Sequence, residues 1–198
     1  MRTEPDGRAM RPNIVLASGS PRRKELVTRL GWTFTVIAPD VDEDVSGAPE
    51  SVVELLSERK ARAAANMADG IILAADTLVA LDDEVLGKPK DEADARRMLR
   101  QLSGRTHQVY TGVCMLDARS ERMEKVVERS DVTFRPLTDE EIEAYIATGE
   151  PMDKAGAYGV QGTARAFVTG INGEFENVMG LPISVLPGLY DRLTAREF

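Results

Sequence analysis

The sequence predicts an α/β protein built on a mixed sheet, and three observations predict it. Short apolar runs bounded by turn formers alternate with amphipathic segments, beginning with Ile14–Leu16, the segment 21–30 and Thr33–Ile37. A long strand over 106–116 and a return strand near 124–134 flank a polar turn, which makes an antiparallel pair and excludes a purely parallel order. The chain has 198 residues, 42% hydrophobic and 29% charged, enough for a proper core in one domain or two intimate lobes.

The elements follow in order. The first dozen residues, with Asp6-Gly7-Arg8, read as a polar N-terminal extension (1–12), because no apolar stretch follows a basic start as a secretory signal requires. A strand at 13–17 leads into Ser20, a good N-cap, and Pro21, which loses nothing at the first helical position by lacking an N–H. The helix 21–30 stops at Gly31, and the single Trp32 behind it reads as a core or lobe-seam aromatic. A strand over 33–37 precedes the acidic segment 39–44, and residues 50–68 form a long helix closed by Asp69-Gly70. Ile71–Ala75 is a buried strand running straight to Asp76-Thr77, with a second short strand at 78–81 and a turn at Asp82-Asp83.

Asp91 caps a helix that reaches Leu102 and stops near Gly104. Thr138-Asp139-Glu140-Glu141 is a capping box opening a helix that ends at Gly149. Ala166–Glu174 is expected to be a hairpin closed by Asn172-Gly173, and a last helix after Pro182 is expected to kink at Pro187.

Charge and composition exclude several functions. A net charge of -8 argues against non-specific binding to nucleic acid or anionic lipid, which is built from many lysine and arginine contacts. It leaves room for a small polyanion met by a local cluster of cations and a divalent metal. The one cysteine, Cys114, allows no internal disulfide and lies in an apolar strand, where a buried thiol is the simplest reading. The one histidine, His107, removes Cys/His zinc clusters, disfavours a Ser-His-Asp triad and reads as a hydrogen-bonded structural residue. No apolar run approaches membrane-spanning length, and a cytoplasmic protein is expected.

The chemistry concentrates in Ser18-Gly19-Ser20-Pro21-Arg22-Arg23. The helix opens at the strand's carboxyl end with free N–H groups and the positive end of its dipole. Two guanidiniums are poorly placed there, because the dipole favours acids. A bound polyphosphate resolves the conflict, and we prefer it to a solvated basic turn.

Asp76, at the end of an apolar strand, occupies a position where α/β proteins meet ligands and metals, unless it is a turn aspartate bonding its own backbone. Gly87-Lys88-Pro89-Lys90 presents Lys88 on a rigid loop, with a solvated loop as the equal alternative. Val53, Leu56, Lys60, Ala64 and Met67 recur at spacings of three and four, so Lys60 falls in an apolar stripe and either snorkels or points into a cleft. Asp42, Glu43 and Asp44 are either metal ligands or a solvated loop. In Ala157-Tyr158-Gly159-Val160-Gln161-Gly162, glycines bracket one carboxamide that offers both donor and acceptor to a planar ligand, unless the segment is a structural turn.

Nine stretches in one order resemble the Maf family of nucleoside triphosphate pyrophosphatases. They are Ser18–Arg23, Val41-Asp42-Glu43, Lys60-Ala61, Ala74–Thr77, Gly87-Lys88-Pro89, Leu102–His107, Tyr110-Thr111-Gly112, Gly156–Gly162 and Asn177–Pro182. The resemblance covers about residues 13 to 190 and makes 13–198 a single domain. It implies a two-lobed mixed α/β fold shared with inosine triphosphate pyrophosphatases, a nucleotide in the cleft between lobes, a divalent cation (Mg²⁺ or Mn²⁺) and homodimers. It maps the family's catalytic aspartate, its proton acceptor, to Asp76, and its specificity positions to Arg22, Thr77 and Gln161.

Asp76-Thr77 with Arg22 and Gln161 is similar to the branch acting on dTTP and UTP. The sister branch acting on 7-methyl-GTP carries glutamine and glutamate in place of that threonine and that glutamine. A neutral amide suits a uracil or thymine edge, and CTP stays open because an amide can flip.

The expected reaction is hydrolysis between the α- and β-phosphates. Ser18, Arg22, Arg23 and the helix N-terminus hold the phosphate tail, Lys60 and Lys88 neutralise charge, and Glu43 with Asp76 holds the metal. An aspartate of ordinary pKa, about 3.9, is a weak base at neutral pH, so positioning a water is the companion role for Asp76. Two other readings are a nucleotidyltransferase, which needs a glycine-richer loop than Ser-Gly-Ser-Pro, and a non-catalytic nucleotide sensor in septum control.

Overall fold

The computed structural model describes residues 12–195, so of the expected polar extension only Pro12 falls within it. β1 (Asn13–Leu16) runs into α1 (Pro21–Arg29), capped by Ser20, with Pro21 in its first turn. β2 (Thr33–Val36), α2 (Pro49–Ala65), β3 (Ile71–Leu81), β4 (Glu84–Leu86) and α3 (Glu92–Leu102) follow. Then come β5 (Thr106–Asp117), β6 (Met123–Phe134) and α4 (Asp139–Ala147), whose start is the expected capping box between Thr138 and Glu141. Short 3₁₀ turns at 150–153, 155–157 and 163–167 lead to β7 (Val168–Asn172), α5 (Phe175–Met179) and α6 (Leu186–Thr194).

The described strands form one mixed seven-stranded sheet in the order β2-β1-β3-β5-β6-β7, with β4 on the β1 side of β3. β1 is parallel to β2 and to β3, and the remaining pairs are antiparallel. Alternate residues of β3 serve two cores, as the pleat requires. Ile72, Ala74, Leu78 and Ala80 pack with Val53, Leu56, Ala61 and Ala64 of α2. Leu73, Ala75, Val79 and Leu81 join the larger core that contains buried residues of α1, α3, α4, α5 and α6.

One close approach sets the α2 layer. A Cβ on Gly112 of β5 would collide with the backbone carbonyl of Val53 in α2, so only glycine lets the helix lie this near the sheet. Gly112 pairs in register with Asp76, and Lys60 lies two turns along α2 from Val53.

The structure corrects four expectations. The runs 71–75 and 78–81 are one strand, because β5 pairs with β3 continuously from Ile71 to Ala80 and keeps Asp76 and Thr77 extended. The expected hairpin at 166–174 does not form. Val168–Asn172 pairs with Asp131–Phe134 of β6, and Gly173 at φ +129° turns the chain into α5 beside Ser130. α2 ends at Ala65, which leaves Met67 outside the apolar stripe and 63% exposed. Pro187 kinks nothing, because α6 begins at Leu186 and the proline occupies its first turn.

The remaining single residues lie in the core. Cys114 is buried, and burial pushes its thiol up to about 12, which keeps it protonated and inert. Trp32 packs at 5.6 Å on Tyr190 of α6. His107 is fully buried, its Nε2 at 2.8 Å from the Tyr158 hydroxyl and its ring edge-on to Phe134.

Two outcomes follow from this packing. Gly112→Ala forces α2 off the sheet and is expected to destabilise the protein by about 1–3 kcal/mol in urea unfolding, with loss of activity as Lys60 moves. Burial lowers the pKa of His107 to about 4 from 6.5, so the unfolded chain binds more protons between those values. Stability therefore falls as pH drops from 6.5 towards 4, by up to about 3 kcal/mol from this group. Urea titrations across that window should show a shallower fall in His107→Gln.

Candidate active site

The site occupies a notch in the sheet. β1 pairs with β3 only as far as Leu73, and β4 takes up the same edge at Val79. Among the described residues, 74–78 of β3 have no strand on that side, and Asp76 and Thr77 sit in the gap. Being consecutive in an extended strand, they point to opposite faces of the sheet. The notch lets both line one cleft of about 600 Å³.

On the α2 face, Asp76 Oδ1 accepts from Lys60 Nζ at 2.5 Å, and Glu43 Oε1 lies 2.8 Å from the same ammonium. Asp76 and Lys60 are mostly buried, with 13% and 14% of their side chains exposed, whereas Glu43 is 56% exposed. The bond from Lys60 holds the Glu43 carboxyl below the usual carboxylate range, against the opposing pull of partial burial. Lys60 in its apolar stripe therefore points into the cleft. The acidic segment contributes Glu43, while Asp42 caps its own turn by accepting from the Asp44 N–H.

On the opposite face, Arg23 reaches across from the first turn of α1. Its Nε donates to the Gly180 carbonyl at 2.8 Å, Nη2 to the Thr77 hydroxyl at 3.1 Å and Nη1 to the Ser18 hydroxyl at 3.4 Å. Gly180 ends α5 at φ +112°, a left-handed cap that only glycine adopts freely. Burial lowers the Arg23 pKa from its usual value, and Asp76 partly offsets it.

Arg22, Ser20 and Pro21 line the same mouth, and Lys88 enters from the loop after β4. That loop is anchored by buried Pro89 and by the Gly87 carbonyl, which accepts from the Gly156 N–H at 3.1 Å.

Eight of the nine residues expected at the site line this cleft: Ser18, Arg22, Arg23, Glu43, Lys60, Asp76, Thr77 and Lys88. Gln161 does not. It is exposed, and its neighbours Tyr158, Gly159 and Val160 form the wall. Asp153 and Lys154 also line the cleft and were missed, because a Lys beside an Asp reads as ordinary solvated surface. Lys154 Nζ donates to the Glu150 carbonyl and to Asp153 Oδ1, both at 2.7 Å.

Five cationic side chains (Arg22, Arg23, Lys60, Lys88, Lys154) thus face three anionic ones (Glu43, Asp76, Asp153) in a chain of net charge -8. Such a cleft favours a polyanion. Valines and leucines of both faces, with Tyr158 and Met179, supply apolar wall beside the charges.

Among the described residues no three His, Cys, Asp or Glu side chains converge. Glu43 and Asp76 do converge on one point, now held by Lys60. Mg²⁺ and Mn²⁺ commonly bind through one or two carboxylates together with substrate phosphates, and the pair fits a cation arriving with a nucleotide. Among the described residues no helix is long and apolar enough to cross a membrane.

Comparisons with known proteins identify the family and the fold. The family described as Maf-like protein matches residues 13–193. A dTTP/UTP pyrophosphatase of Pelotomaculum thermopropionicum is 51% identical over 176 residues, covering 87% of this chain and 92% of that protein. Its counterpart from Moorella thermoacetica is 53% identical over 173 residues, covering 86% and 89%. Among solved structures, the Staphylococcus aureus Ham1 protein superposes with a TM-score of 0.52 at 17% identity, covering 89% of this chain and 98% of that one, which shows a shared fold. The chain belongs to the Maf family.

Proposed function

We propose that this protein hydrolyses nucleoside triphosphates, dTTP and UTP foremost, between the α- and β-phosphates to the monophosphate and pyrophosphate. The carrying observation is a cationic cleft built around Asp76 in an acidic protein. The names of relatives about half identical to this chain, dTTP/UTP pyrophosphatases, support the nucleotide.

Arg22, Arg23 and the N-terminus of α1 grip the phosphate tail, with Ser18 steadying Arg23. Lys60 and Lys88 offset the charge that develops on the phosphate oxygens. Asp76 orients the attacking water and accepts its proton, while the bridging oxygen leaves with pyrophosphate. Glu43 and Asp76 would hold Mg²⁺ or Mn²⁺, which supplies charge neutralisation on the phosphates when bound.

Thr77, Arg22 and Gln161 set the choice of base. The Gln161 amide, beside the Val160 wall, offers a donor and an acceptor to a uracil or thymine edge. CTP and modified pyrimidine nucleotides fit the same amide, and removal of non-standard nucleotides is the housekeeping role this chemistry suits. The reading includes a homodimer, two lobes meeting at the cleft and action in the cytoplasm, with neither nucleic acid nor membrane as partner.

The test is a panel of canonical and modified triphosphates with Mg²⁺ or Mn²⁺ and chromatographic identification of products. Monophosphate and pyrophosphate from UTP and dTTP support the proposal. Binding without product points to a nucleotide sensor, and pyrophosphate released only with a phosphorylated acceptor points to a nucleotidyltransferase.

Two variants sharpen the panel. Asp76→Asn is expected to lower turnover by about 10²–10⁴-fold with UTP binding mostly intact, and near-wild-type turnover removes Asp76 from the mechanism. Gln161→Glu is expected to lower kcat/KM for UTP by about tenfold or more, by replacing an amide donor with a second acceptor. An unchanged value takes Gln161 out of base selection.

A further inference from the structure

Two buried polar residues lie in motifs of the family resemblance yet have no role in the mechanism above. Thr111 and Asn177 are both 0% exposed, and they lie beneath the face of the sheet that carries Thr77 and Arg23. Thr111 is the direct cross-strand partner of Thr77, with the hydroxyl oxygens 2.9 Å apart. The Thr111 hydroxyl also lies 3.2 Å from the backbone carbonyl of Asn177.

Only the first of these bonds is fixed by what its groups can do, and the shortest contacts set the direction of the rest. Arg23 only donates, so the Thr77 oxygen accepts from Nη2 and its own proton must go elsewhere. The Thr111 oxygen at 2.9 Å is a nearer acceptor than the Gly180 carbonyl at 3.4 Å. Thr111, having accepted, passes its proton to the Asn177 carbonyl, which only accepts. A single head-to-tail chain results, Arg23 to Thr77 to Thr111 to Asn177, charged at its open end and buried at the other. Chains of this kind polarise and strengthen one another in a low-dielectric interior.

The far end is itself pinned. Asn177 Nδ2 donates to the Val109 carbonyl at 3.1 Å and to the Ser130 hydroxyl at 3.0 Å, and that hydroxyl donates to the Glu174 carbonyl at 3.0 Å. The amide nitrogen must face Val109, because two carbonyl oxygens cannot bond each other. Its oxygen, Oδ1, is left buried without a partner among the described residues. Such an orphan costs stability. The arrangement holds the α5 turn, and with it the carbonyls of Asn177 and Gly180, against β5 and β6.

A guanidinium carries five N–H donors. Three on Arg23 have partners among the described residues, Gly180, Thr77 and Ser18. One N–H on each terminal nitrogen remains for a ligand, and guanidiniums commonly use such pairs to hold a phosphate.

We propose that Thr111 is a positioning residue that, with Asn177 behind it, presets the plane of Arg23 for the phosphate chain by way of the Thr77 hydroxyl. The proposal rests on the reading of the cleft as a triphosphate site. Without the Thr111 hydroxyl, Thr77 turns its proton to the Gly180 carbonyl already used by Arg23, and the guanidinium loses its fixed orientation.

The test uses the full chain, with inorganic tripolyphosphate as the binding probe and UTP as substrate. Thr111→Val, folded by its melting curve, is expected to bind tripolyphosphate about tenfold more weakly and to lose a similar factor in kcat/KM. Thr111→Ser, which keeps the hydroxyl, should stay within about threefold of wild type. In an Arg23→Ala background Thr111→Val should cost nothing further, because the group it positions is gone. If Thr111→Val does not fold, Thr111→Ala carries the same comparison.

An unaltered Thr111→Val overturns the relay, as does a Thr111→Ser equally impaired, or an equal loss with Arg23 absent. A wild-type chain that neither binds tripolyphosphate nor hydrolyses UTP overturns the triphosphate reading itself, an outcome distinct from failure of the relay alone.

Discussion

Lys60 stands between Asp76 and Glu43, and its place there depends on the contact of the α2 backbone with Gly112 of β5. A side chain at 112 would lift the helix, and the ammonium would leave its two carboxylates together. Loss of Lys60 would leave Asp76, mostly withdrawn from water, beside Glu43 with no cation between them, which is costly. Packing and charge are therefore one constraint here. The smallest residue in the chain sets the distance at which the cleft's central cation and anion meet.

A second consequence comes from the gap in the sheet edge between β1 and β4. Neighbouring residues of a strand ordinarily serve separate environments, one on each face. At the notch both faces open to one cleft, so Asp76 joins Lys60 and Glu43 while Thr77 joins Arg23, Thr111 and Gly180. Asp76 and Thr77 are thus adjacent in sequence yet supported by different layers of the protein. α2 supports the first, and α1 with the α5 turn supports the second.

Five cations in one cleft of an acidic chain repel one another, and three carboxylates only partly offset them. A polyphosphate relieves that repulsion on binding.

Much of this was legible in the residues. Ser20-Pro21 at the start of α1, the capping box at Thr138 and the apolar strands are local signals, and they formed where expected. Lys60 was legible as an anomaly, a charge inside an apolar stripe. The hairpin at 166–174 was misread because Asn172-Gly173 specifies a turn but not the partner of the strand before it, and β6 supplied that partner. Lys154 gave no signal of its own, and Thr111 only a place in the Tyr110-Thr111-Gly112 stretch, since the contacts of Thr111 are with neighbours distant in sequence.

The sequence by itself determined the starts of α1, α3 and α4, the strands β1, β5 and β6 and the residue types gathered in the cleft, because capping, periodicity and charge act over a few residues. Only the tertiary structure decided that Asp76 and Thr77 lie inside one strand at a notch and that Lys60 bridges Glu43 and Asp76. It alone placed Gln161 outside the wall. Those facts depend on pairing between segments tens of residues apart, which no local preference encodes.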